Sequence, residues 1–259
     1  MEYFDTHAHY DDAMFNEDRE AILDKIQKMG VTRCVNVGCN EYSSKVSLDF
    51  ADKYKFMYAI CGIQPCEIPQ TEEELLIEID KIKSIIKNNK KVVAIGEIGL
   101  DYHYDGFNKD LQKIAFVKQI ELANELNLPI SIHTRDAIDD TINILRTNNI
   151  KNSGVIHCCP FNKELIKHGL EQGLYIAFGG TSTFKNSKNA KEILNMMPKD
   201  RIVTETDSPY LAPDPVRGTR NDSSNLRYIV RKIAELREED EEEVAKYTYE
   251  NAMRLFKLK

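Results

Sequence analysis

The stretch FDTHAHYDD, from Phe4 to Asp12, contains two of the six histidines of this 259-residue chain. If the stretch begins as a β-strand, His7 and His9 share one face, because alternate residues of a strand point to the same side. Two imidazoles on one face can hold a metal ion, but they can equally be core residues. The fold around the stretch decides between these alternatives.

Short apolar runs rich in β-branched residues recur along the chain and predict eight strands. The runs are YFDTH (3–7), RCVNVG (33–38), MYAICGI (57–63), VVAIGEI (92–98), PISIHT (129–134), GVIHC (154–158), YIAFGG (175–180) and RIVTETD (201–207). The segments between them show helical periodicity, as in NEDREAILDKIQKMG (16–30), which stops at Gly30. Two further helices are predicted after the last strand.

Strict alternation of strands and helices predicts an α/β fold with a parallel sheet, and eight repeats predict a (β/α)8 or TIM barrel. The alternative is an open doubly wound sheet, which needs a glycine-rich phosphate-binding loop after its first strand. The chain has THAHYDD at that position instead. Because no linker or low-complexity segment divides the sequence, we predict a single barrel domain over residues 1–259.

The composition narrows the class of protein. A hydrophobic content of 42% and a charged content of 30% are typical of a globular enzyme and exclude a disordered chain. The formal net charge of −7 argues against a broad basic surface that binds nucleic acid through many phosphates. Positive charge for a polyanionic substrate would therefore be local, as metal ions provide. Six cysteines without a C-x-x-C spacing predict reduced thiols.

The sequence also bears on location. No apolar run approaches the roughly 20 residues of a membrane helix, so no membrane association is predicted. The first residues, MEYFDTHAHY, lack the basic start and apolar core of a secretory signal, and a cytoplasmic location is expected. The oligomeric state stays open, with a monomer as one alternative.

Polar residues cluster at the predicted strand ends, where (β/α)8 barrels carry their catalytic groups. These residues are His7, His9, Glu97, His133, His157 and Asp207. Each alone is weak evidence, because a strand histidine is often a core residue and a carboxylate after a strand is often a helix cap. Together, four imidazoles and two carboxylates near one barrel mouth would be costly to bury without a partner, and a metal centre is that partner.

Six ligands are too many for one tetrahedral ion that also keeps a water, so two divalent ions per chain are predicted. Glu97 is the predicted bridging ligand, since a carboxylate has two oxygens. Asp207 is predicted to bind one ion and, as the catalytic base, to take the proton of the attacking water. The sequence leaves the metal open among Zn, Mg, Mn, Ni and Fe.

Six motifs occur in a specific order along essentially the whole chain: DTHAH (5–9), GEIGLDY (96–102), LNLPISIHTRDA (126–137), HC (157–158), ETDSPYLAP (205–213) and RGTRND (217–222). In this order they resemble the TatD family of metal-dependent hydrolases, within the amidohydrolase-type barrels. The resemblance implies metal-dependent phosphodiester hydrolysis on nucleic acid, typically by a deoxyribonuclease of the 3′-exonuclease kind, with DNA as the expected partner. It also implies the same six ligands that the strand ends indicate.

The chain departs from the family pattern in three segments: GIQP (62–65) has Gln64 where the family has histidine, HCCPF (157–161) replaces an HCFSG-like turn, and RNDSSN (220–225) has Ser223 in place of a proline. None of these changes a predicted ligand, so they concern the substrate. Two other functions stay open, namely hydrolysis of a small amide or ester, as by a deacylase, and a non-catalytic metal-binding barrel.

Four residues are predicted to contact the substrate: Gln64, Tyr102, Arg135 and Arg220. Gln64 can hydrogen-bond a phosphate without carrying charge, and Tyr102 can stack on a base. Arg135 would bind a phosphate in bidentate fashion, or alternatively pair with Asp136 or Asp139. Arg220 lies in a loop rich in proline and glycine that could reach the substrate.

Overall fold

A computed structural model describes residues 1–87 and 89–259. Each predicted run forms a strand at its predicted place. The strands are β1 (Tyr3–Ala8), β2 (Val31–Val37), β3 (Met57–Cys61), β4 (Val92–Asp101), β5 (Ile130–Arg135), β6 (Gly154–Ile156), β7 (Tyr175–Phe178) and β8 (Ile202–Thr204). They form one eight-stranded sheet in chain order.

Helices follow the strands, as the sequence predicts. They are α1 (Arg19–Lys28), α2 (Glu41–Lys53), α3 (Glu72–Ile86), α4 (Lys109–Leu126), α5 (Ile138–Thr147), α6 (Lys163–Glu171), α7 (Ala190–Met196), α8 (Leu226–Arg237) and α9 (Glu241–Leu255). Short 3-10 helices lie at Ala13–Phe15, Gly180–Thr183, Lys199–Arg201 and Ser223–Asn225. The fold is a (β/α)8 barrel, which confirms the predicted fold class.

Local sequence explains where the helices begin and end. Thr71 and Glu74 form a reciprocal capping box at the start of α3, and Asp240 caps α9 ahead of three glutamates in its first turn. Helix α4 ends at Leu126, and Asn127 takes the left-handed conformation (φ 56°). Pro129, which cannot continue a helix, follows two residues later.

The chain divides into two compact units. The first unit comprises Met1–Asn36, His157–Lys163 and Tyr175–Lys259, and the second comprises Val37–Ile156 and Glu164–Leu174. The prediction of a single domain over residues 1–259 stays a prediction.

In the first unit, β1 pairs in parallel with β2 and also meets the segment that follows β8 through a bridge between Ala8 and Ser208. The ring of Phe4, on β1, packs against two rings of the C-terminal segment, Tyr249 at 5.9 Å and Phe256 at 5.7 Å. This apolar packing fixes the first strand and therefore the histidines at its carboxyl end.

In the second unit, β4 is longer than the sequence predicts and is buried along its whole length. Its ladder with β5 continues to the pair Asp101–Arg135. Gly99 permits this, since its φ is +141° and a Cβ there would lie 1.9 Å from the carbonyl oxygen of His133. As a result Glu97 lies inside β4 and not at its end.

Two further expectations can be compared with the structure. Within residues 1–87 and 89–259, no disulfide joins any of the six cysteines, which agrees with the predicted reduced thiols. Within residues 1–87 and 89–259, no helix is both long enough and apolar enough to span a membrane.

Candidate metal centre

Strands β1 and β8 of the first unit bring three predicted ligands together. His7 lies in β1, His9 follows it, and Asp207 follows β8. The Nε2 atoms of His7 and His9 are 3.2 Å apart. The Oδ1 atom of Asp207 lies 3.8 Å from the His7 Nε2 and 3.4 Å from the His9 Nε2. These three residues, here called the β1/β8 cluster, therefore direct three ligand atoms toward one point.

The spacing of these atoms fits a bound divalent ion. Tetrahedral zinc with bonds of about 2.0–2.2 Å places neighbouring ligand atoms about 3.3–3.6 Å apart. The observed separations of 3.2, 3.4 and 3.8 Å lie in or close to that range. Two imidazoles and one carboxylate are also a donor set that zinc and iron accept. The cluster thus fits the metal that the sequence predicts.

Backbone contacts hold Asp207 in an unusual conformation. Its φ of 58° lies in the left-handed region, which is uncommon for residues other than glycine. The Asp207 N–H donates to the carbonyl of His7 at 2.9 Å, and the Tyr210 N–H donates to the carbonyl of Asp207 at 2.9 Å. Such backbone outliers concentrate at functional sites, where the surrounding structure enforces them.

His157 lies beside the β1/β8 cluster and is buried. Its ring stacks on that of His7, with centroids 3.9 Å apart and an angle of 11° between the planes. Its Nδ1 lies 3.5 Å from Oε1 of Glu205, which also accepts the Cys158 N–H at 2.6 Å. Burial raises the pKa of Glu205, and the adjacent His157 acts in the opposite direction. Glu205 was not singled out from the sequence, although it lies two residues before Asp207 in a strand-like run.

Asp5 is a second carboxylate that the sequence analysis missed. It is fully buried in β1, and its Oδ1 accepts the N–H groups of His7 at 3.3 Å and Thr206 at 3.0 Å. Its Oδ2 accepts the Thr206 hydroxyl at 2.6 Å. Burial raises the pKa of Asp5 to about 7. Asp5 therefore ties the strand that carries His7 to the residue before Asp207. Asp5, His7 and His9 are alternate residues, and this spacing is the signal in the sequence that could have revealed Asp5.

The second unit holds two other predicted ligands, Glu97 and His133, here called the β4/β5 cluster. The His133 Nδ1 lies 2.7 Å from Oε1 of Glu97. Its other ring nitrogen, Nε2, lies 3.0 Å from Oδ2 of Asp101. Glu97 and Asp101 are both buried. One imidazole and one carboxylate are donors that a divalent ion accepts, and the 2.7 Å between them is the distance of a charge-assisted hydrogen bond.

Asp101 is held from several sides. Its backbone N–H donates to Oε1 of Gln112 at 2.9 Å, and its carbonyl accepts from Nε2 of the same side chain at 3.0 Å. Its Oδ1 accepts the His103 N–H at 2.9 Å. Burial acts to raise the pKa of Asp101, but the hydrogen bonds from His133 and from the His103 N–H outweigh it, so the pKa lies below its ordinary value.

The exposed Arg135 lies at the end of β5. Its guanidinium lies 5.3 Å from the centroid of the Tyr104 ring, and Nη1 donates to the Tyr104 hydroxyl at 3.3 Å. Across residues 1–87 and 89–259, Arg135 forms no ion pair with Asp136 or Asp139, the alternative partners considered from the sequence. The phosphate-binding role of Arg135 stays a prediction.

The other three predicted substrate contacts are engaged within their own units. Arg220 donates to both carboxylate oxygens of Asp18, at 2.8 and 2.5 Å, and its substrate contact stays a prediction. The Tyr102 hydroxyl donates to Asp140 at 2.7 Å, and the Lys109 ammonium lies 4.4 Å from its ring centroid. Lys109 thus occupies one face of the Tyr102 ring, and base stacking on Tyr102 stays a prediction.

Gln64 forms hydrogen bonds through both its side chain and its backbone. Its Oε1 accepts the Cys66 N–H at 2.8 Å, and its backbone N–H donates to the carbonyl of Cys39 at 2.8 Å. A contact between Gln64 and a phosphate stays a prediction.

A (β/α)8 barrel with histidine and carboxylate clusters on its strands and on the segments that follow them has the architecture of a metal-dependent hydrolase. The family described as "TatD related DNase" matches residues 4–257. The chain belongs to the TatD family.

Individual relatives agree with this assignment. "Uncharacterized metal-dependent hydrolase YabD" of Bacillus subtilis is 41% identical over 256 residues, which cover 98% of this chain and 99% of that protein. "Uncharacterized metal-dependent hydrolase YcfH" of Escherichia coli K12 is 33% identical over 258 residues, covering 98% and 95%. The crystal structure of YJJV, a TatD homologue from Escherichia coli K12, is similar with a TM-score of 0.92 and 25% identity, covering 99% and 98%.

Proposed function

We propose that this metal-dependent hydrolase cleaves phosphodiester bonds of nucleic acid, as a deoxyribonuclease that acts from the 3′ end. The observation that carries the proposal is the convergence of the His7, His9 and Asp207 ligand atoms, with separations of 3.2 to 3.8 Å. The description of the matching family as a DNase supports the choice of substrate.

The proposed chemistry assigns separate tasks to the six predicted ligands, to Asp207 as the base and to Arg135. Bound divalent ions lower the pKa of water and neutralise charge on a phosphoryl group. The six predicted ligands would hold these ions through imidazole nitrogens and carboxylate oxygens. Asp207 would accept the proton of the attacking water, since its carboxylate is fixed beside His9. Arg135 would hold a nonbridging phosphate oxygen.

Two ions per chain, with Glu97 as their bridge, are part of this proposal and stay predictions of the sequence. The cytoplasmic location also stays a prediction. Because the net charge is −7, the ions and Arg135 would supply the local positive charge that a polyanionic substrate requires.

One set of assays tests the proposed function. The purified chain is stripped with a chelator and reloaded with Mn²⁺, Zn²⁺ or Mg²⁺, and bound metal is measured on the same sample as hydrolysis. Single-stranded DNA, single-stranded RNA and a neutral ester are compared as substrates. We expect two ions per chain and metal-dependent release of nucleotides from DNA. His9→Ala should lower both metal content and hydrolysis, whereas His168→Ala, at a partly buried residue of α6 paired with Glu171, should lower neither.

The same assays identify the competing functions. Hydrolysis of the ester with none of DNA would indicate a deacylase-like enzyme. Full metal loading with no hydrolysis of any substrate would indicate a non-catalytic metal-binding barrel. A ceiling of one ion with all ligands intact would overturn the two-ion arrangement.

A further inference from the structure

His133 lies between two carboxylates of the second unit. Its Nε2 is 3.0 Å from Oδ2 of Asp101, and its Nδ1 is 2.7 Å from Oε1 of Glu97. An ionised carboxylate only accepts hydrogen bonds, and a neutral imidazole has a single N–H. The ring proton therefore serves one contact, while at the other a nitrogen lone pair faces a carboxylate. Either a second ring proton or a bound cation satisfies that second contact, and a histidine that binds a metal does so as the neutral ring.

The surroundings of Asp101 make it the acceptor of the ring proton. Its Oδ1 already accepts the His103 N–H at 2.9 Å. In the described part of the chain, Asp101 belongs to no group of three or more clustered histidine, cysteine or carboxylate ligand atoms. It therefore has the contacts of a hydrogen-bond acceptor and lacks those of a metal ligand.

The fold holds Asp101 rigidly in this position. The buried side chain of Gln112 bonds both the N–H and the carbonyl of Asp101, at 2.9 and 3.0 Å. Gly99 lets β4 approach β5 at the pair Gly99–His133, since a Cβ would lie 1.9 Å from the His133 carbonyl oxygen. Asp101 and His133 are thus fixed by the same ladder of two strands.

We infer that Asp101 is a positioning residue, which accepts the Nε2–H of His133 and thereby directs the Nδ1 lone pair of this ring to the metal ion. The inference rests on the proposed role of His133 as a ligand. A carboxylate behind a metal-binding imidazole fixes its tautomer, restrains its orientation and raises its basicity. Loss of such a partner typically weakens metal affinity by about 10–100-fold.

Asp101→Asn tests the positioning role of Asp101 with little change in the shape of the side chain. An asparagine has one oxygen, so it can accept from either the His133 ring or the His103 N–H, and its NH₂ group then faces the other donor. We expect Zn²⁺ binding, measured by competition with a chromogenic chelator, to weaken about 10–100-fold. His133→Ala sets the limit for complete loss of the ligand. Circular dichroism of the metal-free variants checks that they fold.

Asp136→Asn is the matched control. Asp136 also accepts from a histidine, with Nδ1 of His103 at 2.9 Å from its Oδ2, but this pair is exposed and contains no predicted ligand. Asparagine tolerates the left-handed φ of 53° at this position. Zn²⁺ affinity should stay at the parental value, because only the carboxylate behind the ligand ring matters.

A second measurement uses the parent chain and therefore tests the positioning role of Asp101 even if Asp101→Asn fails to fold. Long-range ¹H–¹⁵N correlation spectra of the Zn²⁺-loaded parent chain report which ring nitrogen of His133 carries the proton. We expect the proton on Nε2 and the metal on Nδ1. The reverse assignment, or equal Zn²⁺ affinity in Asp101→Asn and Asp136→Asn, would overturn the inference. A parent chain that binds none of Zn²⁺, Mn²⁺ and Mg²⁺ would overturn both this inference and the proposed function. If the proton lies on Nε2 and Asp101→Asn weakens Zn²⁺ binding as expected, but the chain does not cleave DNA, only the proposed function is overturned.

Discussion

The β1/β8 and β4/β5 clusters hold their imidazoles by different means. In the first unit, the buried carboxylate of Asp5 bonds the backbone of His7 and the side chain and backbone of Thr206. In the second unit, the carboxylate of Asp101 bonds the ring of His133 itself. A carboxylate that accepts hydrogen bonds from backbone N–H groups fixes the path of a strand. A carboxylate that accepts from a ring nitrogen fixes the tautomer of a ligand. Disruption should therefore affect stability in the first unit and metal affinity in the second.

The largest expected effect comes from Asp207, which we propose as the base. Asp207→Asn keeps the side-chain shape but removes the proton acceptor, so turnover on DNA should fall about 10²-fold or more at saturating metal. Circular dichroism should show a folded chain. Asp200→Asn, at an exposed residue of the same unit, should keep parental turnover. Near-normal turnover in Asp207→Asn would remove this residue from the mechanism and would assign the chemistry to other groups.

Arg135 tests whether the second unit contributes a substrate contact in addition to metal ligands. Arg135→Ala should cost roughly 1.5–3 kcal/mol of transition-state stabilisation on a dinucleotide, the range for a charge-assisted hydrogen bond. Metal content should not change, and hydrolysis of a neutral ester should barely change. The measurement is kcat/KM on both substrates with bound metal determined in parallel.

Arg220→Ala is the matched control for Arg135. Because the Arg220 guanidinium is paired with Asp18, this variant should lower the melting temperature and leave kcat/KM unchanged. Equal losses in Arg135→Ala on the dinucleotide and the ester would indicate a structural role for Arg135. A loss of kcat/KM on DNA in Arg220→Ala would instead support the substrate contact predicted from the sequence.

Much of the fold could be predicted because it depends on local pattern. Alternating apolar runs and helical segments identified all eight strands. The rule that barrel strands end at one mouth then selected candidate residues such as His7, Glu97 and Asp207. The true length of β4 was not predictable in this way, since it depends on the close approach of Gly99 to the His133 carbonyl on the next strand.

The supporting contacts were not predictable, because they join positions distant in sequence. Arg220 and its partner Asp18 are separated by 202 positions, and Asp5 and Thr206 by 201. A period of two shows which face a side chain occupies, but not which neighbour it meets. For this reason the sequence indicated candidate ligands and missed Asp5 and Asp101, the carboxylates that fix them.

Thr206→Val should have the smallest effect, and it tests directly the comparison between the β1/β8 and β4/β5 clusters. The Thr206 hydroxyl donates to Asp5 at 2.6 Å and accepts from the Ser208 N–H at 3.2 Å and the Ser208 hydroxyl at 2.7 Å. Valine has a similar shape but cannot take part in these bonds, so a buried carboxylate oxygen and the Ser208 donors lose a partner. The free energy of unfolding of the metal-free chain should fall by about 1–3 kcal/mol.

The control for this variant is Thr248→Val, at a buried threonine of α9 whose hydroxyl donates to the carbonyls of Val244 and Ala245 in its own helix. Its effect on stability should be small, because these carbonyls keep their helical partners. Urea unfolding of both variants, beside Zn²⁺ titrations of the same samples, separates the two modes of support. If Thr206→Val weakened Zn²⁺ binding without lowering stability, the Asp5 contact would act on the ligands as Asp101 does. The contrast between backbone support in the first unit and ring support in the second would then be wrong.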